Sequence, residues 1–405
     1  MTKFVHFGCW NNLNEKNGQK SGNLRQVMKR LNSYIIAEEN GKKPDFLVLA
    51  GDNYYPGKTK MNNKKKKVIY TAKLVEGFSI LPQGIQINMI LGNHDLETNG
   101  TNDSLFINND QPERRDCYIL NNEMRYILSR NEKLRNNHLH FFLFQEKMLT
   151  NRTLLLMLDT SMYTTAASKY LECYSAFLRQ PIESQQSLID VQNKFIISKI
   201  RKYKGEISHL ILIGHHPIIG IKNKSKSPKA EKSSKAEKSS KAEKSPKAEK
   251  SPKAEKTKSK EEDPLLNDIP YFTETLDTIY GILSSQVTYT YLCADLHLYQ
   301  KGKIVMPTTM EINQYIVGTG GTELDDPIPE EMIKDRKHTR VSDGTQYEIY
   351  ECRQEFGFLE CVIDNDATGP VFRFISADVK KGGKSSRMTR KRRIKNNKIK
   401  LVKND

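Results

Sequence analysis

The sequence of 405 residues predicts an α/β layered fold, and two observations predict it. Short apolar runs recur along the chain and stop abruptly at glycine or polar residues, which reads as strands covered on both faces. Between several of these runs lie stretches with apolar residues at helical spacing, and alternating strands and helices favour layered sheets. With 37% hydrophobic residues, there is enough apolar material for one large domain or two modest ones.

In chain order, the first strand is read in FVHFGCWNN (4–12). A helix follows in GNLRQVMKRLNSYIIAEEN, where Leu24, Val27, Met28, Leu31, Tyr34 and Ile35 share a face. Strands are then read in DFLVLAGDNYY (45–55), IQINMILGNHDLE (85–97) and TLLLMLDTS (153–161). QQSLIDVQNKFIISKIRKY repeats the helical pattern through Leu188, Val191, Phe195, Ile196 and Ile200. HLILIGHHPII (209–219) predicts a strand, DIPYFTETLDTIYGILSSQ a helix, and VTYTYLCADLHLYQ (287–300) a strand. After Leu298 the spacing changes. KIVMPTTMEINQYIVGTGGTE, TQYEIYECRQ and FGFLECVIDND read as antiparallel strands, so a second or mixed sheet is expected.

Two segments do not belong to a core. From 225 to 262 the chain repeats KAEKSS or KAEKSP, beginning at Lys229, Lys235, Lys241, Lys247 and Lys253. That composition buries too little apolar surface to offset chain entropy, so a disordered insertion is expected, at a closure cost that grows only logarithmically with length. The basic end, 377–405, is read as a second such segment, and the two supply much of the formal net charge of +17. Nonspecific, backbone-directed contact with nucleic acid or another polyanion is a partner class open to them; with few aromatics present, base stacking is not suggested. A domain over 1–376, interrupted by the repeat, is the expected organisation. The six cysteines show no C-x-x-C spacing and need not form a disulfide framework. The opening MTKFVHFGCW lacks a basic region followed by an apolar run, and no stretch approaches the length of a membrane span. An intracellular monomer, cytoplasmic or nuclear, is expected.

The chemistry gathers where the apolar runs end. Asp52, Asn53 and Tyr55 follow one, Asn93 and His94 the next, then His215 and His216, then Asp295 and His297. Ligands of α/β sheets bind beyond the carboxyl ends of the strands, so these groups are expected at one mouth. One histidine after a strand is usually structural; four successive strand ends bearing Asp, Asn and His are hard to explain that way. Mixed oxygen and nitrogen donors suit zinc, manganese or iron, and a carboxylate such as Asp52 can bridge two cations. Two metals can activate water and clamp a phosphoryl group.

GDNYY (51–55), GNHD (92–95) and GHHP (214–217) together resemble the motifs of the calcineurin-like metallophosphoesterases, in the same order. Tyr55, three residues after Asp52, is similar to the tyrosine of the purple acid phosphatases in that superfamily. The resemblance implies a four-layer α-β-β-α sandwich with two mixed sheets. It also implies two divalent or trivalent metal ions (Fe, Zn or Mn), or one. By the same resemblance Asp52 bridges the metals, Tyr55 and His297 bind the first, Asn93 and His215 bind the second, and His94 orients the phosphate or protonates the leaving oxygen. Two positions depart from the family: Cys9 stands where an aspartate binds the first metal, and Ala294 and Asp295 replace the glycine and first histidine of the last motif. Both Cys9 and Asp295 can still ligate, the first through a soft thiolate and the second through oxygen. Hydrolysis of phosphomonoesters by metal-bound hydroxide is the expected function, on a phosphorylated small molecule or protein and with activity lowered by the replaced ligands. The alternatives are a degenerate phosphatase fold kept for binding, with nucleic acid among its partner classes, and a nuclease-type phosphodiesterase.

Overall fold

A computed structural model describes residues 1–12, 20–37, 43–55, 76–97, 107–108, 111–115, 139–222, 265–266, 269, 271–326, 328, 330, 333, 337–340, 343–364 and 369–377. The KAEKS repeats, and all of the basic segment except Ala377, lie outside the described residues.

The first sheet is built on four parallel strands, β1 (Thr2–Phe7), β2 (Phe46–Ala50), β3 (Gln86–Ile90) and, after the small ribbon β4 (Ile107–Asn108) and β5 (Gln111–Arg115), β6 (Leu139–Phe141). The second sheet begins with β7 (Gln145–Thr150), which pairs antiparallel with β8 (Thr153–Met157). It continues through β9 (His209–Ile213) and, beyond the two-residue pair β10 (Gly220–Ile221) and β11 (Leu265–Leu266), through β12 (Thr288–Cys293). Then come β13 (Tyr299–Val305), β14 (Glu311–Val317), β15 (Lys337–Thr339) and β16 (Gln346–Arg353). Its eight-stranded order is β15-β16-β13-β14-β12-β9-β8-β7, in which β8, β9, β12 and β14 run parallel. The chain closes the first sheet with β17 (Gly357–Ile363) and β18 (Val371–Ser376), antiparallel to one another and to β1, giving β18-β17-β1-β2-β3-β6.

Among the described residues five helices accompany them: α1 (Lys20–Ile36), α2 (Asn93–Glu97), α3 (Leu171–Leu178), α4 (Gln185–Tyr203) and α5 (Phe272–Leu283). Alternation along the central strands explains the layering. In β9, Ile211 and Ile213 join the core between the sheets, while Leu210 and Leu212 pack with Ile189, Ile196 and Ile200 of α4 and Leu276 and Ile279 of α5. Helix α1 sits on the first sheet, with Tyr34 edge-on to Phe358 at 5.4 Å between ring centroids. Two mixed sheets face each other inside two helical layers, as the motifs imply. The parallel strands β1, β2, β3, β9 and β12 all release their chain at the same edge, and this brings distant motifs together.

The structure differs from the sequence reading in three places. Strand β12 ends at Cys293, and Ala294–Leu298 is a turn before β13, where one run over 287–300 was read. The short strand β6, the half-exposed strand β7 and helix α3 were not read at all; three residues and a charged alternation carry little periodic signal. Cys173 is disulfide-bonded, while Cys9, Cys293, Cys352 and Cys361 are free, so a bridge exists where cysteine spacing required none. Among the described residues no helix is long and apolar enough to cross a membrane.

Candidate metal centre

Each candidate residue stands on a tight turn just past a strand. Gly51 has φ +81°, and a side chain there would lie 2.6 Å from the Gly92 backbone and from His215 Nδ1. A Cβ on Gly92 would lie 2.3 Å from Asp52 N. Only two bare backbones allow the turns after β2 and β3 to touch under His215. Asp95 then binds the turns together. Its carboxylate accepts from Asn53 N (2.9 Å), Asn53 Nδ2 (3.0 Å) and Gly92 N (2.8 Å). Asn53 also donates to Ile90 O and accepts from Trp10 Nε1, so it faces inward as a brace, not toward the mouth where the sequence reading put it.

Asp52 is the hub. Its Oδ1 accepts from His94 N at 3.0 Å and lies 3.3 Å from His215 Nε2. Its Oδ2 accepts from Tyr55 Oη at 2.5 Å and from the Cys9 thiol at 3.7 Å. Tyr55 Oη lies 3.3 Å from His297 Nε2, and the Tyr55 and His94 rings are 4.5 Å apart between centroids. One ligand atom each from Cys9, Asp52 and His297 lie within 4.8 Å of one another, as do those of His215, His216 and Asp295. Asn93 Oδ1 joins the second group, 3.0 Å from His215 Nε2. All eight sequence candidates therefore meet at one edge, with Asp52 between the two groups.

The donor chemistry fits cations. His215 Nδ1 lies 2.7 Å from Ala50 O, which accepts its proton and turns Nε2 inward. There Nε2 faces Asn93 Oδ1, Asp52 Oδ1 at 3.3 Å and Asp295 Oδ1 at 3.6 Å, three oxygens without a proton to give. Acceptor oxygens converging on Nε2 require a positive charge there, which a ring proton supplies when no cation is bound. Burial disfavours the charged ring of His215, yet Asp52 and Asp295 outweigh it and push its pKa up to about 10. Burial likewise opposes ionisation of Asp295, but His215, His216 and His297 hold it well below the usual carboxylate range. Burial first, then the Asp52 and Asp295 charges, push the Cys9 thiol well above its ordinary value, so a thiolate there calls for a cation beside it. His297 is oriented in the same manner as His215: its Nδ1 lies 2.9 Å from Glu323 O and its backbone N–H donates to Asp325 Oδ2.

Sequence reading missed the braces. Asp95, the last residue of GNHD, and Thr160, two residues past the apolar run of β8, carried their signal in plain view, but a buried acceptor looks like any turn residue in one dimension. Thr160 Oγ1 accepts from the backbone N–H groups of both His215 (2.9 Å) and His216 (3.0 Å), which fixes the β9 turn. No curated protein matches the chain. The model of the calcineurin-like phosphoesterases matches residues 2–238, more than half of the 405 residues, and includes the turns of Cys9, Asp52, Asn93 and His215. The chain belongs to the calcineurin-like phosphoesterase family.

Proposed function

We propose that this protein is a metal-dependent phosphoesterase that hydrolyses phosphomonoesters, a variant of the purple acid phosphatase type. The observation that carries the reading is the convergence of proton-free oxygens on His215 Nε2, where a positive charge has to sit. Asp52 would bridge two ions of iron, zinc or manganese; Cys9, Tyr55 and His297 would hold one, and Asn93, His215 and Asp295 the other. Bound there, the ions supply Lewis acidity toward the phosphoryl oxygens and lower the pKa of water.

The chain's own residues do the remainder. His94, half-buried at the rim beside Tyr55, binds a phosphoryl oxygen and gives its ring proton to the leaving oxygen. Ala50 O and Glu323 O hold the tautomers of His215 and His297, and Asp95 holds the turns of Asp52 and Asn93 in register. One phosphoesterase domain over 1–376, interrupted at 225–262, is part of the same proposal.

The test is metal content by elemental analysis beside hydrolysis of an aryl phosphate. Wild type is expected to carry metal and to hydrolyse the ester; Asp52→Asn should lose at least about 10–100-fold in metal affinity and activity. Cys9→Asp should shift the retained metal from zinc toward manganese, as a hard oxygen replaces a soft sulfur. Metal-free wild-type protein no more active than Asp52→Asn would favour a phosphatase fold kept for binding.

A further inference from the structure

A cavity of about 290 Å³ opens beside the second ligand group, between that group and the chain from Ser161 to Tyr170. Its walls are of two kinds. Leu96, Ala167 and Tyr170 are apolar, whereas Ser161, Thr164 and Thr165 offer hydroxyls, and among the described residues no lysine or arginine lines it. Its floor includes His216, whose ring is oriented by a proton count. A threonine hydroxyl has two lone pairs and one proton. Both lone pairs of Thr160 Oγ1 are taken by the His215 and His216 backbone N–H groups, so its proton goes to His216 Nδ1, 3.1 Å away.

His216 therefore accepts at Nδ1 and carries its ring proton at Nε2. Metal ligation through Nε2 would need that proton on Nδ1, facing an oxygen with no lone pair left, so His216 is a hydrogen-bond donor beside the ligand set. Ser161 Oγ is a second polar group: it is buried and makes no hydrogen bond of ordinary geometry, although its hydroxyl favours the ionised form of nearby Asp159.

We propose that this cavity is the leaving-group subsite, with His216 Nε2–H and Ser161 Oγ reading a compact, uncharged, hydroxylated alcohol such as the sugar of a sugar monophosphate. The inference rests on the phosphoesterase reading and names its substrate class. A pyranose has an apolar C–H face for Tyr170 and a hydroxyl rim for Ser161 and the threonines. The volume lies just below the about 300–1,000 Å³ range of small-molecule pockets, which selects against a large alcohol. None of the described wall residues is cationic, so none of them pairs with a second anionic group on the alcohol.

The experiment compares kcat/KM for glucose 6-phosphate, ethyl phosphate and 3-phosphoglycerate in wild type, Ser161→Ala and Thr165→Lys, the last at an exposed position. Wild type should prefer glucose 6-phosphate to both others by about tenfold or more, one hydrogen bond's worth. Ser161→Ala should collapse the preference over ethyl phosphate about tenfold, and Thr165→Lys should raise 3-phosphoglycerate relative to glucose 6-phosphate. Metal-free protein titrated with glucose 6-phosphate should shift the amide resonances of residues 160–170. Equal hydrolysis of the three esters, or a ratio unmoved by Ser161→Ala, overturns the subsite and leaves the phosphoesterase reading standing. If wild type hydrolyses none of them, the phosphoesterase reading fails, and the titration decides the subsite: unmoved amides overturn it.

Discussion

Cys9, Asp52 and Asp295 share a backbone conformation that L-residues avoid, with φ of 53°, 54° and 56°. Each follows its strand after one residue, and the left-handed turn swings its side chain over the sheet edge toward the others. That geometry costs roughly 1–2 kcal/mol per residue. Aspartate tolerates it better than cysteine, so strain is stored where the ligands converge. Away from the site, Glu360 shows a charged group held for stability. It is buried, lies 3.0 Å from Lys3 Nζ and 2.8 Å from Arg373 Nη2, and accepts from Tyr34 Oη. Burial works against its ionisation, but Tyr34, Lys3 and Arg373 prevail and depress its pKa. A depressed carboxylate adds stability above its unfolded pKa of about 4.3, and that stability is lost as pH falls through the lower folded value. Glu360→Gln removes the negative charge that the buried Lys3 ammonium faces, and should cost about 3–5 kcal/mol in urea unfolding at pH 7. The deficit should shrink as the pH of the measurement is lowered past 4.

Helix α4 shows how much of an element is written locally. Ser184 caps it: Ser187 N donates to Ser184 Oγ and Ser184 N to Ser187 Oγ, both at 3.1 Å. Its buried residues Leu188, Ile189, Gln192, Ile196 and Ile200 follow the helical period. Three of the five apolar residues named from sequence, Leu188, Ile196 and Ile200, are fully buried, while Val191 and Phe195 pack at the margins of two clusters. Ser184→Ala should lower stability by about 1 kcal/mol, read as a fall in the thermal midpoint without change in metal content. The chain between β8 and α3 was the opposite case. Its 3₁₀ turns, Thr160–Tyr163 and Ala167–Tyr170, have no period to read and are held by distant partners, Asp159 accepting from Tyr174 Oη at 2.7 Å and Gln185 Nε2 donating to Met162 O and Thr164 O. This is the segment that walls the cavity.

Over the whole molecule, the repeat lies between β10 and β11, whose residues pair antiparallel as Gly220 with Leu266 and Ile221 with Leu265. Because the ends of the insertion are already paired, replacing 225–262 by a short Gly-Ser linker should leave the unfolding midpoint and the hydrolysis rate unchanged within error. Loop length contributes only about 0.6 kcal/mol per doubling. A collapse of either would sink the proposed domain organisation. The alternating apolar runs already determined the fold class and the strand ends at which Asp52, Asn93, His215 and His297 stand, because a buried strand must be apolar throughout and must stop where its chain leaves the sheet. Only the tertiary structure decided that Asn53 and Asp95 are braces, that Cys9 and Asp295 still face the ligand set, and that His216 turns its Nδ1 to the Thr160 hydroxyl where His215 turns its Nδ1 to a carbonyl. Those roles depend on which atoms meet across strands far apart in the chain, and a residue's type does not specify its partner.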